Sequence, residues 1–318
     1  MRFLDEPPLF AALKDAQRVL IAGAGGGFDV YVGLPLAFAL MRLGKSVHLA
    51  NLSFSALDLI GTDAWVAPNL AAITPATSGH DRYFPERTLA RWLSSRGLNP
   101  IVYAFDRIGV RPLRAAYRAL VRTLDIDGIV LVDGGTDILM RGDEAGVGTF
   151  EEDITSLVAV AGVEVPVRLV TCAGFGIDAY HGVCHAHVLE NLAALDRRGA
   201  YLGALSIPRH SEEAALYLDA AAHAHAHTPA RPSIVNGQIA AAVRGEFGDV
   251  RVTDRTAGSE LFVNPLMAVY FTVDLPALAD HLRYPPHLND TDTQHEVRAI
   301  VETFRAGIKP RPKRPIPH

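Results

Sequence analysis

Short apolar runs rich in β-branched residues recur along the chain, separated by stretches whose apolar residues repeat every 3.6 positions. Arg18–Ala22 (RVLIA), Ser46–Leu52 (SVHLANL), Pro100–Phe105 (PIVYAF), Gly128–Asp133 (GIVLVD), Val167–Cys172 (VRLVTC) and Tyr201–Ile207 (YLGALSI) read as strands. Leu34–Leu43, Pro85–Arg96, Leu113–Leu124, Phe150–Ala161 and His181–Leu195 read as helices between them. Several of these strands are apolar almost throughout, which suits strands covered on both faces. The alternation predicts an α/β fold with a doubly wound, mostly parallel sheet and helices on both faces.

A chain of 318 residues, 49% of them hydrophobic, has the means to build such a core. Its size lets it bury roughly three quarters of its unfolded surface. The net charge of −5 gives no global positive field to draw it to nucleic acid or anionic lipid. Two cysteines, Cys172 and Cys184, make no disulfide framework and point to a reducing compartment. The start, MRFLDEPPLF, has acids and prolines where a signal peptide needs an apolar run. A soluble cytoplasmic protein is expected, with a small-molecule ligand, no nucleic acid and no membrane, and with homo-oligomer formation left open. Only four lysines are present, Lys14, Lys45, Lys309 and Lys313, none in a setting that desolvates it. Schiff-base chemistry is therefore disfavoured.

Three polar turns carry the functional signal. The first, Gly23-Ala24-Gly25-Gly26-Gly27-Phe28-Asp29, follows a strand and leads to a helix start at Gly33-Leu34-Pro35. A dinucleotide-binding protein cradles pyrophosphate here, yet the third glycine of G-x-G-x-x-G falls at Phe28 and Asp29 puts negative charge where phosphate would sit. At the end of the second strand the ribose-binding acid is replaced by Asn51. NAD thus fits less well than a hydroxylated or cationic group held by Gly25, Gly26, Gly27, Asp29 and Asn51. A tight turn with Asp29 as a helix cap is the alternative. Gly44-Lys45-Ser46 copies the end of a P-loop, but it precedes a strand and lacks the first glycine.

The second turn is Asp133-Gly134-Gly135-Thr136-Asp137. Ligands bind at the carboxyl ends of parallel strands. Two carboxylates there form an acid–base pair or hold a hard cation. Asp and Gly also simply make turns.

The third runs from Thr171 to His187. With a helix starting near Asp178, the residues Asp178, His181 and His185 stand at i, i+3 and i+7 on one stripe. Such a set can bind a divalent metal or orient a general base, and His187, Glu190 and Asn191 fall on the opposite face. Alternatively Asp178 caps the helix and the histidines are solvated. Cys172 at a strand end reads as buried sooner than nucleophilic. His223, His225 and His227 lie in an alanine-rich helix that turns His225 away from the other two. The neutral amides of Asn236 and Asn264 stand at breaks where they would orient a substrate or cap a helix.

Gly25-Gly26-Gly27-Phe28-Asp29, Leu131–Asp137, Gly174–Asp178 with His181-Gly182-Val183 and His185, Asn236-Gly237-Gln238 and Leu261–Met267 together resemble an uncharacterised family. It is the one catalogued as domain of unknown function 1152, found in bacteria and archaea. The resemblance runs over nearly the whole chain to about Ala306. It implies a Rossmann-like α/β fold and a single domain over residues 1–306; the less regular pattern of 53–99 reads separately as an insertion or lid. Residues 307–318 form a basic, Pro-rich tail, expected as polyproline II or disorder. The resemblance implies no activity.

The residues themselves point to hydrolysis or acid–base transfer on a small polar, hydroxylated or amine-bearing molecule. Asp133 or Asp137 would be the acid or base, and His181 or His185 its partner. Gly25, Gly26, Gly27, Asp29, Asn51, Gly134, Gly135, Asp178 and Asn236 would hold the substrate. If a metal is present, Asp178, His181 and His185 are its expected ligands. A nicotinamide-dependent oxidoreductase and a non-catalytic ligand-binding or scaffold protein are the alternatives. The first reading expects Asp29, Asp133 and the His181/His185 stripe to converge on one pocket.

Overall fold

The computed structural model of the chain describes residues 5–80 and 82–316. The first four residues of the polar start, residue 81 within the 53–99 segment and the last two residues of the tail lie outside the described residues.

Among the described residues, nine strands form one sheet. They are β1 (Arg18–Gly23), β2 (Ser46–Leu52), β3 (Trp65–Ala67), β4 (Leu70–Ile73), β5 (Val102–Phe105), β6 (Gly128–Gly134), β7 (Val167–Ala173), β8 (Tyr201–Ser206) and β9 (Val269–Asp274). Their order in space is β3-β4-β5-β2-β1-β6-β7-β9-β8. The centre, β5-β2-β1-β6-β7, is parallel. Both edges are antiparallel: β4 against β5, β3 against β4, β9 against β7 and β8 against β9. The α/β class is as expected, with parallel pairing confined to the central strands.

The pleat explains why the central strands are apolar throughout. Leu20 and Ala22 of β1 pack with Leu113, Leu120, Ile154, Leu157 and Leu195 on one side of the sheet. Val19 and Ile21 pack with Leu36, Leu40, Trp92, Tyr217 and Ile239 on the other. Successive side chains point to opposite faces, and here both faces meet helices. Each such Leu or Ile contributes about 1.5–3 kcal/mol by leaving water.

The irregular segment 53–99 is stitched to the sheet by β3 and β4. A small third core of Leu57, Ile60, Ile73, Phe84 and Ala104 sits beneath it. The tail departs from the expected free conformation, because its arginines find acids on distant segments. Arg311 N–H donates to Asp143 O at 2.7 Å, and its guanidinium pairs with Asp143, Glu144 and Glu190. Arg314 also pairs with Glu190, while His187 Nε2 faces Pro312 O at 3.0 Å. The helix face carrying His187, Glu190 and Asn191 is therefore the seat of the tail.

Next to β1 the chain order reverses: β2 lies on one side and β6 on the other, both parallel to it. The connections leave in opposite directions, and a crevice opens at the carboxyl ends of the two strands.

Candidate functional site

A cavity of about 370 Å³ fills that crevice. Asp29, Asp133, Asp137, Asp153, Asp178 and His181 line it, together with the glycine turn. Phe54 and Tyr83 form one wall, and Arg255 with Ser259 another.

Each acid is placed by its own piece of backbone. The turn after β1 folds back so that Gly25 N–H donates to Asp29 Oδ2 at 2.7 Å. Asp29 begins the short helix Asp29–Val32, so its carboxylate caps the turn and not the helix. A Cβ on Gly25 would lie 2.6 Å from Asp153 Oδ1 and 2.7 Å from Asp29 Oδ2. Only a residue without a side chain lets the two carboxylates close on this backbone. Asp133 belongs to β6, and Asp137 opens the 3-10 turn Asp137–Leu139 that follows. Asp137 Oδ2 accepts the Thr149 N–H at 2.9 Å. Asp178, in the 3-10 turn Ile177–His181 after β7, accepts the Thr136 N–H at 2.6 Å. Asp153 comes from the Glu151–Ala161 helix, on a face that is buried through Ile154 and Leu157.

Five aspartates around one cavity, four of them buried and Asp29 half-buried, raise one another's proton affinity. Burial lifts the Asp29 carboxyl to about 8, helped by the Asp137 charge and opposed by the Gly25 and Gly134 amides. Burial, then the charges of Asp137, Asp29 and Asp178, hold Asp133 well above the ordinary range. Burial and the Asp133 charge do the same at Asp153, and burial with Asp137 at Asp178. Asp137 also rises through burial, but the Thr149 amide and hydroxyl and the His181 imidazole work against the rise. Asp133 Oδ2 and Asp153 Oδ1 are buried without a hydrogen-bond partner.

The expected helical stripe does not form. Gly182 takes a φ of +92°, which ends the turn at His181, and a separate helix, His185–Asp196, begins three residues later. Asp178 and His181 stay at the cavity. His185 instead packs edge-on against Phe175, ring centres 5.2 Å apart, and burial lowers its affinity for a proton. Among the described residues, the group whose oxygen or nitrogen ligand atoms converge is Asp29, Asp133 and Asp153, within 4.8 Å of one another. The expected metal ligands Asp178, His181 and His185 are not such a group.

Other expected contacts are internal. Asn51 is fully buried; its Nδ2 donates to Gly27 O at 2.9 Å and to Glu86 Oε1 at 2.7 Å. It holds the glycine turn from behind and does not line the cavity. Asn236 Nδ2 donates to Phe28 O at 3.1 Å, and its Oδ1 accepts the Tyr217 hydroxyl at 3.0 Å. It faces a neighbouring cavity of about 320 Å³ lined by Phe28, Tyr31 and Leu218. Gly134 lines the acidic cavity. Gly135, with φ of +155°, lets Asp178 close in: a Cβ there would lie 2.6 Å from Asp178 Oδ2. Cys172 is sealed between β7 and β9, and burial pushes its thiol up. His223 and His227 stack on each other with ring centres 4.0 Å apart, and His225 points into other surroundings.

Sequence reasoning missed Asp153 and Glu86. Asp153 was legible as an acid on the inward face of an amphipathic helix, one turn before Leu157. Glu86, fully buried and bonded to Asn51 and Ser55, gave no such signal.

No helix among the described residues is long and apolar enough to cross a membrane. No curated protein matches the chain. A family described as a protein of unknown function, DUF1152, matches residues 64–308. The resemblance is thus narrower than the near full-length one expected, and the Gly25–Phe28 turn and Asp29 stand outside the matched stretch. With more than half of its length matched, the chain belongs to the DUF1152 family.

Proposed function

We propose that the chain is an enzyme of acid–base chemistry, in the first place a hydrolase, acting on a small polar molecule that carries amine or hydroxyl groups. The observation that carries this reading is the convergence of five aspartates, four of them buried and Asp29 half-buried, with His181 on one cavity. Paired carboxyls whose environments push their proton affinities apart divide into an acid and a base. Asp133, whose Oδ2 receives no donor from the chain, is the acid that protonates a leaving group. Asp137, whose carboxylate form is held by the Thr149 amide and hydroxyl, is the base that activates water. His181, exposed at the cavity rim, relays that proton to solvent.

The acidic floor selects the substrate. Unless a divalent cation intervenes it disfavours phosphate and favours ammonium or hydroxyl donors, while Phe54 and Tyr83 offer apolar contact from the 53–99 segment, which acts as a lid. The strand order supports a Rossmann-like reading of the sheet centre. The Gly25 amide, however, is held by Asp29, where a nucleotide cofactor would place its phosphates. A volume of about 370 Å³ suits a single small metabolite.

The test is capture of metabolites on the immobilised chain, read by mass spectrometry, with Asp133→Asn and Asp137→Asn alongside. Amine- or hydroxyl-bearing molecules retained by the wild type and turned over only with Asp133 and Asp137 intact are the expected result. Turnover indifferent to both substitutions would overturn the reading. Stabilisation by NAD(H) or NADP(H) would favour an oxidoreductase instead.

A further inference from the structure

The acids of the cavity fall into two groups by what answers their oxygens. Asp137 takes the Thr149 amide, Asp178 the Thr136 amide and Asp29 the Gly25 amide. Asp133 Oδ2 and Asp153 Oδ1 take nothing from the chain. Their residues are 3% and 2% exposed, so bulk water does not answer them either. A buried carboxylate oxygen without a donor is costly, and a native fold keeps one where a ligand completes it.

From this geometry we infer that Asp29, Asp133 and Asp153 form a site for one hard divalent cation: magnesium, manganese or calcium. One oxygen from each residue lies within 4.8 Å of the others. That spread matches a cation bonded at about 2.0–2.6 Å to each. The donors are all carboxylate oxygens, with no imidazole or thiolate, which favours hard cations over zinc. The room is made by Gly25, whose missing Cβ would stand 2.6 Å from Asp153 Oδ1. A divalent charge also answers the mutual repulsion of Asp29, Asp133 and Asp153. Three protein ligands leave further coordination positions open toward the cavity, where a substrate amine, hydroxyl or water can bind. With the cation bound Asp133 is ionised, so its place as acid passes to a water held at one of those open positions; the inference rests on the acid–base reading for that last step alone.

The experiment uses the 318-residue chain without an affinity tag, stripped with chelator and titrated with manganese chloride. Free manganese is read by electron paramagnetic resonance, with magnesium and calcium chlorides as competitors and thermal unfolding in parallel. One manganese per chain with Kd below about 1 mM, and a rise in Tm, are expected. Asp133→Asn and Asp153→Asn should each weaken binding by about tenfold or more. Gly25→Ala should weaken it without altering any charge. Absence of one-to-one binding by the wild type overturns the site, as does binding left unchanged in all three variants. Metabolite capture that survives chelation, with no manganese bound, overturns the cation and leaves the acid–base reading standing. Manganese bound with no metabolite captured supports the cation and counts against the enzyme.

Discussion

The Thr136 N–H donates to Asp178 Oδ2 at 2.6 Å, tying the loop after β6 to the loop after β7. The closeness depends on Gly135, whose φ of +155° and missing Cβ let the carboxylate approach. Gly135→Ala is expected to destabilise the fold by about 1–3 kcal/mol through backbone strain and displacement of Asp178. Urea unfolding measures it. A midpoint equal to that of the wild type would mean that the two loops move independently.

The second prediction concerns pH. Burial holds the Glu86 carboxyl above its ordinary range, despite donors from Asn51 and Ser55. The folded protein therefore keeps this proton where the unfolded chain has released it. The stabilisation is complete below the ordinary glutamate value of about 4.3 and is lost as pH rises through the folded-state value. Glu86→Gln keeps an acceptor for Asn51 and removes the ionisation. Between about pH 5 and pH 8 the wild-type Tm should fall more steeply than that of Glu86→Gln. Parallel curves would show that Glu86 does not titrate in this window.

His181 and His185 should behave differently although both were expected on one stripe. His181 faces the cavity and His185 packs on Phe175. His181→Ala should slow turnover of a captured ligand by about tenfold or more, with stability unchanged. His185→Ala should leave turnover intact and lower Tm. Equal loss of turnover in both would restore the shared role.

The docked tail gives the last prediction. Glu144 is fully buried, and Arg311 is its ion-pair partner; Arg141, Gly142 and Asn191 supply further donors. Removing one partner of a buried pair typically costs about 3–5 kcal/mol, and the remaining donors place Arg311→Ala near about 2–3 kcal/mol. Deleting residues 309–318 should cost at least as much. Unfolding curves that coincide with the wild type would mean the tail is free in solution.

The central strands and their loops were legible because the apolar pattern there needs no partner to be read. Asp29, Asp133, Asp137 and Asp178 followed, since loops after parallel strands emerge on one edge. The histidine stripe failed for a local reason: Gly182 in a left-handed conformation ends a helical turn that spacing alone carried straight through. Trp65–Ala67 and Leu70–Ile73 were missed because three or four residues are too few to show a period. Val269–Asp274, VYFTVD, had strand-like composition, but its pairing between β7 and β8 is invisible locally. The tail was missed for the opposite reason to the strands. Arg311 is specified by acids at Asp143, Glu144 and Glu190, and no local pattern marks that meeting.

The placement of β9 between β7 and β8 has a consequence for the chain as it is made. β8 is complete at Ser206, yet the strand that must separate it from β7 starts only at Val269. At about 5–20 residues per second, β7 leaves the ribosome with an open edge for several seconds while a ready-made neighbour waits. Premature pairing of β8 with β7 would be parallel, one strand position out, and would shut β9 outside the sheet. Folding slowed by a misplaced β8 is the expected outcome of this strand order, apart from anything the acidic cavity does.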